Sequence, residues 1–133
     1  MEKRATITLR EKATESPVLV TEGTVVRIGD TWNVRYRDEE ACYTIGVSEG
    51  MVTITREGEE DYTLILQEGK MHSFDITSPF GELPLTVTPK AVKTNVSDNG
   101  LKVRVAYEIS SGDVSKKFRL YLDCLLDGDW TKQ

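Results

Sequence analysis

The side chains that could carry chemistry are few in this sequence, and most stand alone. His72 is the only histidine, so any Ser-His-acid or Cys-His arrangement has to use it. No nucleophile-elbow motif frames a serine. His72 with Asp75 is too short a pattern for a metal site, which needs a cluster of ligands. Cys42 and Cys124 lie far apart and outside any C-x-x-C pair, which leaves zinc and thioredoxin-like readings without support. Asp38-Glu39-Glu40 and Glu59-Glu60-Asp61 present hard oxygen ligands but lack the calcium-loop spacing, and read as solvated turns. Neither cluster sets two carboxylates across a cleft as glycoside hydrolysis requires. No glycine loop leads into a helix to cradle a phosphate. The sequence therefore assigns no catalytic residue, no metal ligand and no cofactor, and a non-enzymatic role is expected.

The aromatic residues are the more informative set. Trp32, Tyr36, Tyr107 and Phe118 all fall on positions expected to point inward from strands. Trp and Tyr combine apolar area with a polar tip, which suits a ligand pocket. The alternative is that they fill the core, because large aromatics plug a narrow interior efficiently. Phe80-Gly81 reads as a bend at the mouth of the fold, with a gate beside a pocket as its functional counterpart; Gly81 supplies a backbone geometry that a Cβ forbids.

The elements that position these residues are strands. The apolar period is two almost everywhere, as expected of ribbons with one buried and one wet face. Ile7 and Leu9 alternate with Thr6, Thr8 and Arg10; Val26 and Ile28 alternate with Val25 and Arg27; Trp32, Val34 and Tyr36 alternate with Asn33, Arg35 and Arg37. Ile45 and Val47, Val52 and Ile54, Tyr62 to Leu66, and Leu83 to Val87 continue the pattern. Leu101, Val103, Val105, Tyr107 and Ile109 form the cleanest run, with Lys102, Arg104 and Glu108 outward. Phe118, Leu120, Leu122 and Cys124 close the series. Turn chemistry separates the runs at Gly29-Asp30, Glu49-Gly50, Glu57-Gly58, Glu68-Gly69 and Ser111-Gly112-Asp113. Asp98-Asn99-Gly100 predicts a type I′ hairpin. Pro84 and Pro89 cannot donate to a ladder and predict a bulge, bend or unpaired edge. No helical stripe of useful length occurs; short helical turns are conceivable only near Thr14–Pro17 and Thr77–Phe80.

Length and charge bound the rest. A chain of 133 residues suits one domain, taken as residues 1–133, and can bury a core without disulfide or metal. The net charge of −5 argues against nucleic acid and anionic membranes, both of which attract positive fields. Lys116, Lys117 and Arg119 are the nearest approach to a basic patch and read as a solvated face. The opening Met1 to Thr6 lacks the apolar core of a signal peptide, and no stretch is apolar enough to span a bilayer as a helix. The expected compartment is the cytoplasm, with both cysteines reduced.

Eight to ten short strands joined by hairpins build a meander, and a long meander twists until it can close. The predicted fold class is thus all-β: a single closed antiparallel up-and-down β-barrel, with a sandwich as the alternative. At this point the residues resemble a known family. Ile7-Thr8-Leu9, Val47-Ser48-Glu49-Gly50, Ser78-Pro79-Phe80-Gly81-Glu82-Leu83 and the long strand from Asp98 to Tyr107 recur in order in the YwiB-like family of uncharacterised bacterial proteins. The resemblance covers nearly the whole chain, except that Arg37–Cys42 does not align clearly. It implies a calycin-like (lipocalin-like) barrel and a bacterial cytoplasmic origin, and it transfers no functional position.

The reading reached from the sequence is a barrel that binds a small, partly apolar ligand in its interior, through Trp32, Tyr36, Tyr107 and Phe118. The alternative is a plugged barrel that acts as a protein-interaction or homodimerisation module. Val25, Ile65 and Leu125, read as outward apolar residues, motivate it.

Overall fold

A computed structural model of the protein describes residues 2–11 and 18–126. Ten strands follow in chain order: β1 Glu2–Arg10, β2 Leu19–Ile28, β3 Thr31–Arg37, β4 Ala41–Ser48, β5 Met51–Gly58, β6 Tyr62–Gln67, β7 His72–Ser78, β8 Gly81–Ser97, β9 Gly100–Ser111 and β10 Val114–Leu126. They form one antiparallel sheet in the order β6-β5-β4-β3-β2-β1-β10-β9-β8-β7. Every consecutive pair except β6–β7 is a hydrogen-bonded neighbour, and β1 pairs with β10 from Ala5 opposite Leu126 to Arg10 opposite Tyr121. The result is an up-and-down barrel that is nearly closed. The Thr77–Phe80 stretch proposed as a helical turn is instead the end of β7 and a tight turn; Thr14–Pro17 lies outside the described residues.

The one seam lies between β6 and β7. A single bridge, Asp61 with Thr77, joins the strands there, each N–H donating to the other's carbonyl at 2.8 and 2.9 Å. Below it β8 takes over from the short β7. Its pairing with β7 ends at Val87 opposite His72, so the following edge of β8 has no strand partner on that side. The Val92 N–H on this edge donates to the Glu68 carboxylate at 3.3 Å, a side chain standing where a strand would be. Both prolines fit this architecture. Pro84 precedes the start of pairing with β9, and Pro89 sits at the bulge where Lys90 is the extra residue.

Side-chain alternation stacks the inward residues in rows around the wall. Across β3–β6, Trp32, Val47, Val52 and Leu66 share the lowest row, and Val34, Ile45, Ile54 and Leu64 the next. Opposite them Ile7, Cys124 and Leu101 form one row, and Leu9, Leu122 and Val103 another. The aliphatic members of these rows are buried and make one continuous core with Val25, Val87 and Val105, against which the half-buried Trp32 packs. β-Branched residues dominate it, as their stiff side chains pack well on a pleated surface.

Two expectations are corrected. In β2 the inward face is Leu19, Thr21, Gly23 and Val25 rather than Val26 and Ile28: Val25 is 2% exposed and Ile28 65%. Both faces of β2 carry apolar residues, so periodicity alone cannot choose. The choice is made by pairing, with Val25 opposite the buried Val34. Second, the β8–β9 hairpin is not a type I′ turn. That turn needs positive φ at both Asp98 and Asn99, and no residue other than glycine has one; only Gly100 does, at φ +154°.

Candidate functional site

One further row completes the β3–β6 wall above the aliphatic layers: Tyr36, Tyr43, Arg56 and Tyr62, directly opposite one another on successive strands. Here the packing changes character. The end of the barrel that carries the β3–β4 and β5–β6 connections holds a hollow of about 660 Å³. Leu9, Ile54 and Leu120 line it as apolar residues; Tyr36, Tyr43, Tyr62 and Tyr107 surround it; and Asp38, Glu39 and Glu40 stand on its rim. The volume lies within the roughly 300–1,000 Å³ that small-molecule sites occupy.

The local sequence explains the space. Gly23 faces Tyr36 across the β2–β3 pair. A Cβ there would run into the Arg35 carbonyl oxygen and come within 3.1 Å of Ile7 Cγ1 and 3.2 Å of Tyr36 Cβ. Glycine thus lets the two strands approach while the phenol of Tyr36 reaches into the barrel. Tyr36 stacks on Tyr43 at 5.1 Å between ring centroids, tilted by 13°. Tyr107, on the far wall, stacks on Phe118 at 5.5 Å and 9°, and Tyr62 meets Phe74 edge-on at 6.3 Å. Such pairs prefer these geometries because ring quadrupoles repel in a direct face-to-face sandwich.

The polar groups fall into two sets. Around Tyr43 they are tied down. Arg56, whose side chain is only 11% exposed, donates from Nε to the Tyr43 hydroxyl at 3.2 Å and from Nη1 to the Glu60 carbonyl at 2.6 Å. Its Nη2 lies 3.7 Å from the Glu40 carboxylate. Asp38 caps the β3–β4 turn, accepting from the Glu40 and Ala41 N–H groups at 2.8 and 2.9 Å. Burial works to raise its pKa, yet those two N–H groups, the Tyr43 hydroxyl and Arg56 hold it below the usual carboxylate range.

The second set is free. The hydroxyls of Tyr36, Tyr62 and Tyr107 have no hydrogen-bond partner among the described residues, although Tyr36 is only 7% exposed. Burial is the main cause that raises all three phenols, Tyr107 to about 12, so each remains a neutral donor at physiological pH.

Of the four residues singled out in the sequence, Tyr36 and Tyr107 line this hollow. Phe118 stands behind Tyr107, half-buried, with Lys116 Nζ 5.4 Å from its ring centre. Trp32 is elsewhere. It precedes Tyr36 by four residues, about 13 Å along a strand, and lines a hollow of about 190 Å³ at the opposite end with Val47, Thr94 and Val96. Tyr43 and Tyr62 belong to the site and were not singled out. Their signal was present in the period of two, which puts Tyr43 in step with Ile45 and Val47, and Tyr62 in step with Leu64 and Leu66.

His72 meets neither an acid nor a nucleophile, and its Nε2 is buried without a hydrogen-bond partner among the described residues. Asp75, three residues on, falls on the other face of β7. Among the described residues no group of three or more histidines, cysteines and acids is placed to hold a metal ion. No helix of the described residues is long and apolar enough to cross a membrane. Phe80 is 99% exposed at the tip of the β7–β8 hairpin, where its N–H donates to Ser78 Oγ at 3.1 Å and Gly81 has φ +123°. It borders the acidic hollow beside Glu39, Glu40 and Arg56.

The described residues form a nearly closed ten-stranded up-and-down barrel, which is the architecture the sequence resemblance implied. The family described as "Domain of unknown function (DUF1934)" matches residues 3–121, and the chain belongs to that family. Among solved structures it is similar to the ywiB protein from Bacillus subtilis, with a TM-score of 0.74 at 16% identity over 95% of this chain and 90% of that one. That likeness agrees with the barrel and with the YwiB-like assignment. No curated protein matches the chain.

Proposed function

We propose that the protein is a non-enzymatic binding barrel that takes a small, partly apolar ligand into its tyrosine-lined end. The observation that carries this reading is the contrast between the two ends. One is packed by aliphatic rows and leaves only about 190 Å³ beside Trp32; the other keeps a hollow of about 660 Å³ lined by three phenols that have no hydrogen-bond partner among the described residues. Core-filling aromatics would normally close such a space, since interiors pack to crystal-like density. A ligand that covers the rings and accepts from the open hydroxyls fits this arrangement.

The homodimer reading has less to rest on. Of its three motivating residues, Val25 is buried in the core, Ile65 is half-buried, and only Leu125 is strongly exposed.

The test is native mass spectrometry of the protein after exposure to fractionated metabolite extract, followed by amide-shift mapping with any bound species. The expected result is a bound small molecule whose shifts centre on Tyr36, Tyr43, Tyr62 and Tyr107. Leu120→Trp, which narrows the hollow, should weaken binding while the fold persists. Capture of no species from any fraction, or shifts centred away from the tyrosines, overturns the proposal.

A further inference from the structure

The lining of the hollow is uneven in charge, and this bears on what it takes. Its walls are ring faces and ring edges, and its floor is aliphatic. Among the described residues the charged side chains at its rim are Asp38, Glu39 and Glu40, with Arg37 the one cation. Arg37 follows Tyr36 in β3 and so falls on the outward face, where it is exposed. Arg56, the other nearby cation, is held between the Glu40 and Glu60 carboxylates and the Tyr43 hydroxyl, and it lies outside the lining of the hollow. Its guanidinium is also 6.0 Å from the Tyr43 ring centre, so that ring already has a cation near it from the wall side. Among the described lining residues no inward-facing cation is placed to pair with a carboxylate or phosphate, whereas phenol faces backed by carboxylates are the surroundings that attract organic cations.

The geometry points to an organic cation as the ligand: a molecule with a flat or branched apolar body and an ammonium group held among the tyrosine faces, beneath the Asp38-Glu39-Glu40 rim. This inference rests on the binding-barrel reading and adds the ligand's charge to it. The free hydroxyls of Tyr36 and Tyr107 serve the same ligand as donors to any carbonyl or ether oxygen it carries. Glu39 is the rim residue to alter, because it is exposed, whereas Asp38 caps its turn and Glu40 faces Arg56.

The experiment compares three probes of nearly equal shape by calorimetry and amide-shift titration at low salt. They are benzyltrimethylammonium, its uncharged isostere neopentylbenzene, and phenylacetate. The ammonium should bind about tenfold more tightly than the isostere, with phenylacetate weakest, and its advantage should shrink as salt is added. Glu39→Gln should lower the ammonium's affinity about threefold and leave the isostere's unchanged. If the isostere or phenylacetate binds as tightly as the ammonium, the charge inference is overturned while the binding barrel stands. If none of the three shifts the amides around Tyr36 and Tyr107 at millimolar concentration, both fall.

Discussion

Truncating one leucine at each end of the barrel should separate the packed half from the hollow half by stability alone. Leu66 shares the lowest row with Trp32, Val47 and Val52 and is 0% exposed. Leu66→Ala removes three carbons worth about 2.4 kcal/mol of transfer free energy at ~0.8 kcal/mol each. It also leaves a sealed void, which brings the expected loss to about 3–4 kcal/mol, within the range such substitutions show. Leu120 is half-buried and already faces the hollow. Leu120→Ala enlarges an existing open space and creates no new void, so half the transfer value, about 1 kcal/mol, is expected. Urea unfolding followed by tyrosine and tryptophan fluorescence measures both, with the slope m held common if each variant remains two-state. Equal losses at the two positions would refute the reasoning, because they would mean that the tyrosine-lined end is as solidly packed as the other.

Gly23→Ala should lower stability by more than about 2 kcal/mol, since the new Cβ meets backbone rather than a flexible side chain; a melt within a degree or two of the parent would contradict the close β2–β3 approach. The protein should also lose stability in alkali. Burial raises Tyr36, Tyr62 and Tyr107 above the ordinary 10.0 and Cys124 above 9.0, the last to about 12. The folded form therefore holds protons that the unfolded chain releases. That contribution is complete below roughly pH 9 and is lost as pH climbs toward 12. Phenolate absorbance of Tyr36, Tyr62 and Tyr107 should rise cooperatively with unfolding; a gradual titration of these three near the ordinary value in the folded protein would count against it. Tyr36→Phe should leave stability nearly unchanged, because its hydroxyl has no hydrogen-bond partner to lose among the described residues, while weakening ligand binding severalfold. A large loss of stability would reveal a structural partner.

Much of this architecture was legible because a strand's side-chain period is local. Leu101, Val103 and Val105 announced a buried face by alternation alone, and the structure buries all three. Proline's missing N–H likewise placed Pro84 ahead of the pairing with β9 and Pro89 at the bulge. The hairpin after Ser97 was legible as a turn but not in its type, since the backbone of Gly100 is pressed against Cys124 and the turn answers to that contact. The site was half legible. An inward tyrosine can be read from parity, but its height in the barrel cannot, which is why Trp32 and Tyr36 looked equivalent.

The sequence by itself determined an antiparallel meander, its turns and, for most strands, the wet and buried faces. These follow from chain geometry two residues at a time. Only the tertiary structure decided the face of β2, the seam at β6–β7, and the row that brings Tyr36, Tyr43, Arg56 and Tyr62 together opposite Tyr107. Those outcomes depend on register between strands far apart in the chain. Register is set by the summed packing of the whole wall, which no single run of residues contains.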